Sequence, residues 1–284
     1  MKLRSYAKVN LFLNVLSKRK DGYHNIETLF ERISLFDIIT LSPAGSGIRI
    51  LTDSPLIPRG PKNLAYRAAK ILKDKFHIKK GISIRIQKKI PVAAGLGGGS
   101  SNAASVLLGL NRAWRLKLSE KELMKLGSEL GSDVPFFILN TSFALGKGRG
   151  EILKKVKAPG AKIWHCLVKP SFAISTKEAY QSLDQSSLTP KKADVKMLFH
   201  SIQKGHSAVL VELLTNSLEV TLNKRVTTIL EIKKRLLKEG TLGCLLSGSG
   251  PTVFGIFKSR KIAENAARAL RKNKRWQVFV VSTF

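Results

Sequence analysis

Acidic residues are scarce in this chain and cysteines scarcer still. Nineteen Asp and Glu face 50 Lys and Arg over 284 residues, a formal net charge of +31. Such a field attracts polyanions: nucleotides, phosphorylated metabolites or RNA. The two cysteines, Cys166 and Cys244, lie far apart with no CxxC spacing. That excludes a disulfide scaffold and reads as buried, reduced thiols in a cytoplasmic protein. Five histidines show no HExxH or similar ligand spacing, which excludes a structural zinc site. No apolar run approaches the ~20 residues needed to cross a bilayer, so no membrane partner is expected. After Met1–Lys8 the apolar residues are interrupted by Asn10 and Asn14 at strand period, unlike a signal peptide. Stacking aromatics are missing from the densest basic clusters, Lys233-Lys234-Arg235 and Arg271-Lys272-Asn273-Lys274-Arg275. Nucleic acid is therefore expected to bind only non-specifically, if at all.

Glycine is the residue that is concentrated. Pro91-Val92-Ala93-Ala94-Gly95-Leu96-Gly97-Gly98-Gly99-Ser100-Ser101 follows an alternating strand pattern, Ile82–Ile86, and precedes the apolar helical run from Asn102. Strand, glycine loop and helix N-terminus together make an anion trap. Glycines let backbone amides approach phosphate oxygens, and the first helical turn adds unpaired N–H donors and a positive dipole end. Ser100 and Ser101 add hydroxyls where phosphate oxygens or a bound Mg²⁺ would sit. No Lys follows Gly99, so this is not a Walker A loop. Counted from Gly95, Ser100 stands where the dinucleotide fingerprint needs its last glycine.

The first half reads as strands, then helices. Val9, Leu11, Leu13 and Val15 alternate with Asn10, Phe12 and Asn14 as in a half-buried strand, and a second extended run spans Ile26–Leu41 after a turn at Lys20-Asp21-Gly22. Asn63 caps a helix over Leu64–Phe76 with Leu64, Ala68, Ile71 and Leu72 on one stripe. A helix comes next near 99–114, then one over Glu120–Leu130 with a Ser119/Glu122 capping box, ended by Gly131. A second unit starts at Ala158-Pro159-Gly160. It holds strands at 163–168, 244–246, 252–257 and 276–282, and helices near 176–184, 191–203, 207–216, 223–239 and 259–272. The fold class is α+β with two domains, 1–157 and 158–284.

Three polar or glycine-rich stations stand out: 91–101, Gly131–Pro135 and Ser247–Thr252. With them the chain resembles the GHMP-superfamily small-molecule kinases. The resemblance rests on Ala7-Lys8-Val9-Asn10-Leu11, Asp21-Gly22-Tyr23-His24, the 91–101 loop, Gly131-Ser132-Asp133-Val134-Pro135, Gly148-Arg149-Gly150-Glu151 and Ser247-Gly248-Ser249-Gly250-Pro251-Thr252. It implies a ribosomal-protein-like α/β N-terminal domain, a ferredoxin-like α+β C-terminal domain and an active site in the cleft between them. The Asp-Gly-Tyr-His turn resembles the branch that uses ATP and Mg²⁺ to phosphorylate the 2-hydroxyl of 4-diphosphocytidyl-2-C-methylerythritol in isoprenoid precursor synthesis. That resemblance implies Asp133 as base, with Lys8 beside it. It implies Asn10 on the polyol hydroxyls, Tyr23 stacking on cytosine, His24 hydrogen-bonding the base edge, and Tyr180, after Thr176, on the ring's other face. Lys88 is implied near phosphate or ribose and Asn63 near adenine. Relatives often carry Asn-Asp-Leu-Glu where this chain has Asn216-Ser217-Leu218-Glu219, and no catalytic role is assigned there. The expected assembly is a monomer or homodimer.

Two other readings stay open at this level. A homoserine- or mevalonate-type kinase would keep the fold but needs no aromatic clamp. A basic RNA-binding protein would suit the charge but would not need Asp133 together with a complete glycine loop.

Overall fold

The computed structural model describes residues 1–158, 160–183, 197, 200, 201, 207–221 and 226–284. Neither of its two compact units is continuous in sequence. The first holds Met1–Ala7, Leu35–Val92 and Gly97–Thr141; the second holds Lys8–Ser34, Ala93–Leu96 and Ser142–Phe284. Two long strands, β1 (Lys2–Lys18) and β2 (His24–Ala44), contribute residues to both.

In the first unit the end of β2 pairs antiparallel with β4 (Gly81–Gln87), from Ile38↔Gln87 to Ala44↔Gly81, and β3 (Ile48–Thr52) lies parallel to β4. The helices are α1 (Leu64–Lys75), α2 (Gly98–Ala113), α3 (Glu120–Leu130) and α4 (Val134–Ile138). Asn63 caps α1 as expected, its side chain accepting from Ala65 N at 2.8 Å. The buried stripe of α1 is Ala65, Ala68, Ala69 and Leu72, whereas Leu64 and Ile71 stay half-exposed. Small alanines let α1 lie close against α2, which outweighs the larger side chains. The α3 capping box forms at both bonds, and Gly131 ends the helix.

In the second unit β5 (Phe143–Lys147) pairs antiparallel with β2, from Thr28↔Gly146 to Glu31↔Phe143, and β6 (Ile152–Val156) pairs with β5. The two-residue β8 (Thr215–Asn216) lies parallel to β1 at Phe12 and Leu13. The second sheet is antiparallel, in the order β11 (Trp276–Ser282), β7 (Trp164–Pro170), β10 (Val253–Phe257), β9 (Gly243–Leu246). Helices α7 (Val226–Lys238) and α8 (Arg260–Leu270) bury Ile229, Ile232, Leu236, Ala263 and Ala266 with sheet residues Cys166, Val168, Leu246 and Phe257. Each large aliphatic side chain buried there contributes roughly 1.5–3 kcal/mol. The remaining helices are α5 (Thr176–Gln181) and α6 (Ser207–Glu212).

The half-buried reading of β1 fails: from Ala7 to Val15 every residue is buried, Lys8, Asn10 and Asn14 included. Alternation marked two chemically different faces, not a wet one and a dry one. The reading of 207–216 as one helix also fails, because Thr215–Asn216 breaks out to pair with β1. Strands β3, β5 and β6 and the short α4 were not anticipated. The helix expected at 191–203 lies mostly outside the described residues, as do 223–225, 184 and Pro159. Among the described residues no helix is long and apolar enough to cross a membrane.

Candidate active site

Three residues of the first glycine loop have positive φ: Ala93 at 50°, Gly95 at 75° and Gly97 at 68°, the last being the N-cap of α2. Gly97 caps without a side chain, so the first N–H groups of α2 are left for an outside acceptor. A Cβ on Gly98 would stand 3.1 Å from Lys88 Nζ and 3.0 Å from Ile90 Cγ2. The Lys88 ammonium therefore sits beside the start of α2, an arrangement that favours an anion there and needs compensation without one. Asp37 supplies it. Its carboxylate is fully buried, pairs with Lys88, and accepts from Lys89 N (2.8 Å), Ile90 N (2.9 Å) and Asn102 Nδ2 (2.9 Å). Asn102 also donates to Ser5 Oγ (2.9 Å), which donates to Ser101 Oγ (2.7 Å). Ser101 is buried behind the loop, whereas Ser100 is half-exposed. Pro91 and Val92 are half-exposed at the loop entrance.

Asp133 occupies the N-cap position of α4, yet its carboxylate makes no capping hydrogen bond there. A Cβ on Gly131 would stand 3.8 Å from Ser100 Oγ, so this station faces the start of α2 within one unit.

In the second unit Lys8 Nζ donates to Asn10 Oδ1 at 2.6 Å and lies 5.4 Å from the Phe30 ring centroid. Asn10 Nδ2 donates to Thr28 Oγ1 (2.8 Å), which donates to Phe12 O (2.6 Å). Lys8 is 4% and Asn10 1% exposed, so neither is a solvated strand residue. Lys8 N donates to Leu96 O at 3.1 Å, and Ser247 Oγ donates to Gly95 O at 3.0 Å. A Cβ on Gly95 would come 2.1 Å from Ser247 O, so only glycine lets Ala93–Leu96 meet the Ser247–Thr252 hairpin.

His24 is buried and stacks on Tyr180, with ring centroids 5.3 Å apart at 30°. Burial, then the charge of Lys18, pushes His24 below the ordinary imidazole pKa. Tyr180 also packs on Leu13, Val15, Ile26, Leu183 and Leu218. Tyr23 stands apart from that stack, 54% exposed. Its ring is covered by the Arg149 guanidinium at 4.9 Å, with Glu151 holding Arg149. Thr176 Oγ1 meets Ser249 Oγ at 3.0 Å, tying α5 to the second loop. Asn63 uses its side chain on Ala65 N and Pro58 O, at the foot of α1. Both thiols are pushed up by burial, Cys166 to about 12 and Cys244 to about 11, so neither is a nucleophile at neutral pH.

Asp37 and Thr28 were missed as the partners of Lys88 and Asn10, and Arg149, though part of a motif quoted above, was not expected to cover Tyr23. The Lys88 and Asn10 positions point to a need for partners, but no local spacing says which distant residue supplies them.

Two domain matches define the class. Residues 63–141 match the GHMP kinases N terminal domain and residues 199–275 match the GHMP kinases C terminal region. The chain is 44% identical to 4-diphosphocytidyl-2-C-methyl-D-erythritol kinase of Clostridioides difficile, over 100% of this chain and 95% of that protein. It is likewise 44% identical to the kinase of that name from Alkaliphilus metalliredigens, over 94% of this chain and 91% of the relative. A crystal structure of 4-(cytidine 5'-diphospho)-2C-methyl-D-erythritol kinase superposes with a TM-score of 0.84 at 33% identity, covering 100% of both chains. The chain belongs to the 4-diphosphocytidyl-2-C-methyl-D-erythritol kinase family of the GHMP kinases.

Proposed function

We propose that this chain transfers the γ-phosphoryl group of ATP to the 2-hydroxyl of 4-diphosphocytidyl-2-C-methyl-D-erythritol, releasing ADP. The observation that carries the choice of acceptor is the 44% identity, along the whole chain, to a relative named for that activity. The aromatic residues of the second unit support it, because a small aliphatic acceptor such as homoserine or mevalonate needs no aromatic clamp. The domain limits 1–157 and 158–284 belong to the same proposal, and the two domain matches fall on either side of residue 157.

A tertiary alcohol is a poor nucleophile, so catalysis must come from alignment, proton removal and charge neutralisation. In this reading the N–H groups at the start of α2, with Ser100 and Lys88, hold the phosphates. Pro91–Leu96 shape the loop, and Asn63 places α1 beside the adenine. Asp133 takes the hydroxyl proton. Lys8 steadies the developing charge while Asn10 orients the polyol. Tyr23, His24 and Tyr180, with Thr176 behind them, read the cytosine. Among the described residues no three His, Cys, Asp or Glu gather as a metal cage. In this reading Mg²⁺ accompanies the triphosphate and screens its oxygens against the incoming alcohol.

The test is ADP release from ATP·Mg²⁺ with a panel of alcohols: the cytidyl methylerythritol compound, homoserine and mevalonate. Turnover with the cytidyl compound alone is expected. Preference for either small aliphatic acceptor would overturn the assignment, and full turnover in excess chelator would overturn the role of Mg²⁺.

A further inference from the structure

The Ser247–Thr252 loop closes through Ser247 N to Thr252 O (2.9 Å) and Gly250 N to Ser247 O (2.9 Å), bonds that leave the Gly248 carbonyl to a partner outside the loop. Gly248 and Gly250 lie at φ +56° and +81°, and glycine loses the most backbone freedom on ordering. Yet a Cβ on Gly248 would stand 3.2 Å from Asn10 Oδ1 and 3.4 Å from Lys8 Nζ, so its placement determines what faces those two groups.

Asn216 gives its two amide hydrogens to Leu246 O (2.9 Å) and Gly248 O (2.7 Å), the carbonyls on either side of Ser247. Its own oxygen accepts from Leu218 N at 2.9 Å, which fixes the orientation of the amide. Glu219 accepts from Leu246 N at 2.9 Å, and Lys233 holds its carboxylate at 2.6 Å. Val15 N donates to Ser217 Oγ at 3.1 Å, tying this segment to the strand that carries Lys8 and Asn10. Both ends of the contact therefore share one frame.

We propose that Asn216 and Glu219 form a clasp that positions Gly248 against Lys8 and Asn10, making them positioning residues for phosphoryl transfer. The proposal rests on the acceptor reading given above. It also explains why an Asn-x-Leu-Glu stretch without chemistry of its own stands in this chain. Asn and Glu fasten the loop, while Ser217 between them supplies an acceptor oxygen to Val15 N.

A double-mutant cycle tests it with full-length protein. Asn216→Ala is expected to lower kcat/KM for the cytidyl acceptor at least about 10-fold in the otherwise native chain, but less than about 3-fold in an Asn10→Ala background. Equal losses in both backgrounds would reduce the clasp to scaffold and overturn the proposal. Hydrogen–deuterium exchange needs no substrate and separates this from the acceptor reading. Amides 247–250 should exchange about 10-fold faster in Asn216→Ala while α7 and α8 keep native rates. Uniform acceleration, or none, would overturn the clasp even if the wild type is fully active. If Asn216→Ala does not fold, Asn216→Ser takes its place in both measurements with the same criteria. An inactive wild type with locally faster exchange would sink the acceptor reading alone.

Discussion

The 91–101 loop runs into a sixteen-residue helix, whereas the 247–252 loop turns back between two antiparallel strands. Glycine serves a different purpose in each. In the first loop it strips side chains from a helix start whose N–H groups have no partner inside the helix. In the second the backbone is already engaged: Ser247 N bonds Thr252 O, Gly250 N bonds Ser247 O, and Asn216 takes two carbonyls. The anchors differ in the same sense. A buried carboxylate, Asp37, holds the basic side of the first loop, and a neutral amide, Asn216, holds the second.

Replacing Asp133 by Asn gives the sharpest contrast, because it removes the base proposed beside the first loop and leaves the second untouched. A fall in kcat of roughly 10²–10⁴-fold with unchanged nucleotide affinity is expected. Near-native turnover would remove Asp133 from its role. Next, Asp37→Ala leaves the Lys88 ammonium buried without its carboxylate and should cost about 3–5 kcal/mol in urea unfolding. Asn216→Ala leaves only neutral groups unpaired and should cost about 1–3 kcal/mol. Equal costs would erase the distinction between a charged and a neutral anchor. Tyr180→Ala should raise KM for the cytidyl acceptor by about 5–100-fold, the range for one lost stacking contact, and keep KM for ATP within about twofold. The reverse split would move the aromatic site to the wrong substrate. The smallest effect is a pH dependence. Because His24 is held below its ordinary value, the unfolded chain takes up the proton first. Stability should fall as pH drops below about 6.5 and level off past the lowered folded value. A His24→Gln protein should show a shallower dependence in the same titration; an identical slope would contradict the assignment.

Much of the skeleton was legible because its signals are local. Asn63, the Ser119/Glu122 box and Gly131 mark helix ends by chemistry confined to a few residues, and the structure places them as read. The glycine-rich entry to α2 was equally visible. Less legible was whatever depends on distant partners. Asn10 read as the polar face of a half-buried strand, yet Thr28 and the 247–252 loop enclose it together with Lys8. Asp37 sits in an apolar strand 51 residues before the lysine it holds, so no spacing rule connects them. Tyr180 stacks on His24 and Arg149 covers Tyr23, contacts between residues far apart in sequence that no local pattern shows. Local chemistry specified the elements; the site depended on which elements the sheets bring into register.

Crystals grown with a non-hydrolysable ATP analogue and Mg²⁺ bear most directly on the central claim. The β- and γ-phosphate oxygens should lie within about 3 Å of the backbone nitrogens at the start of α2. Phosphates bound elsewhere, with Gly97–Ser100 bare, would contradict it.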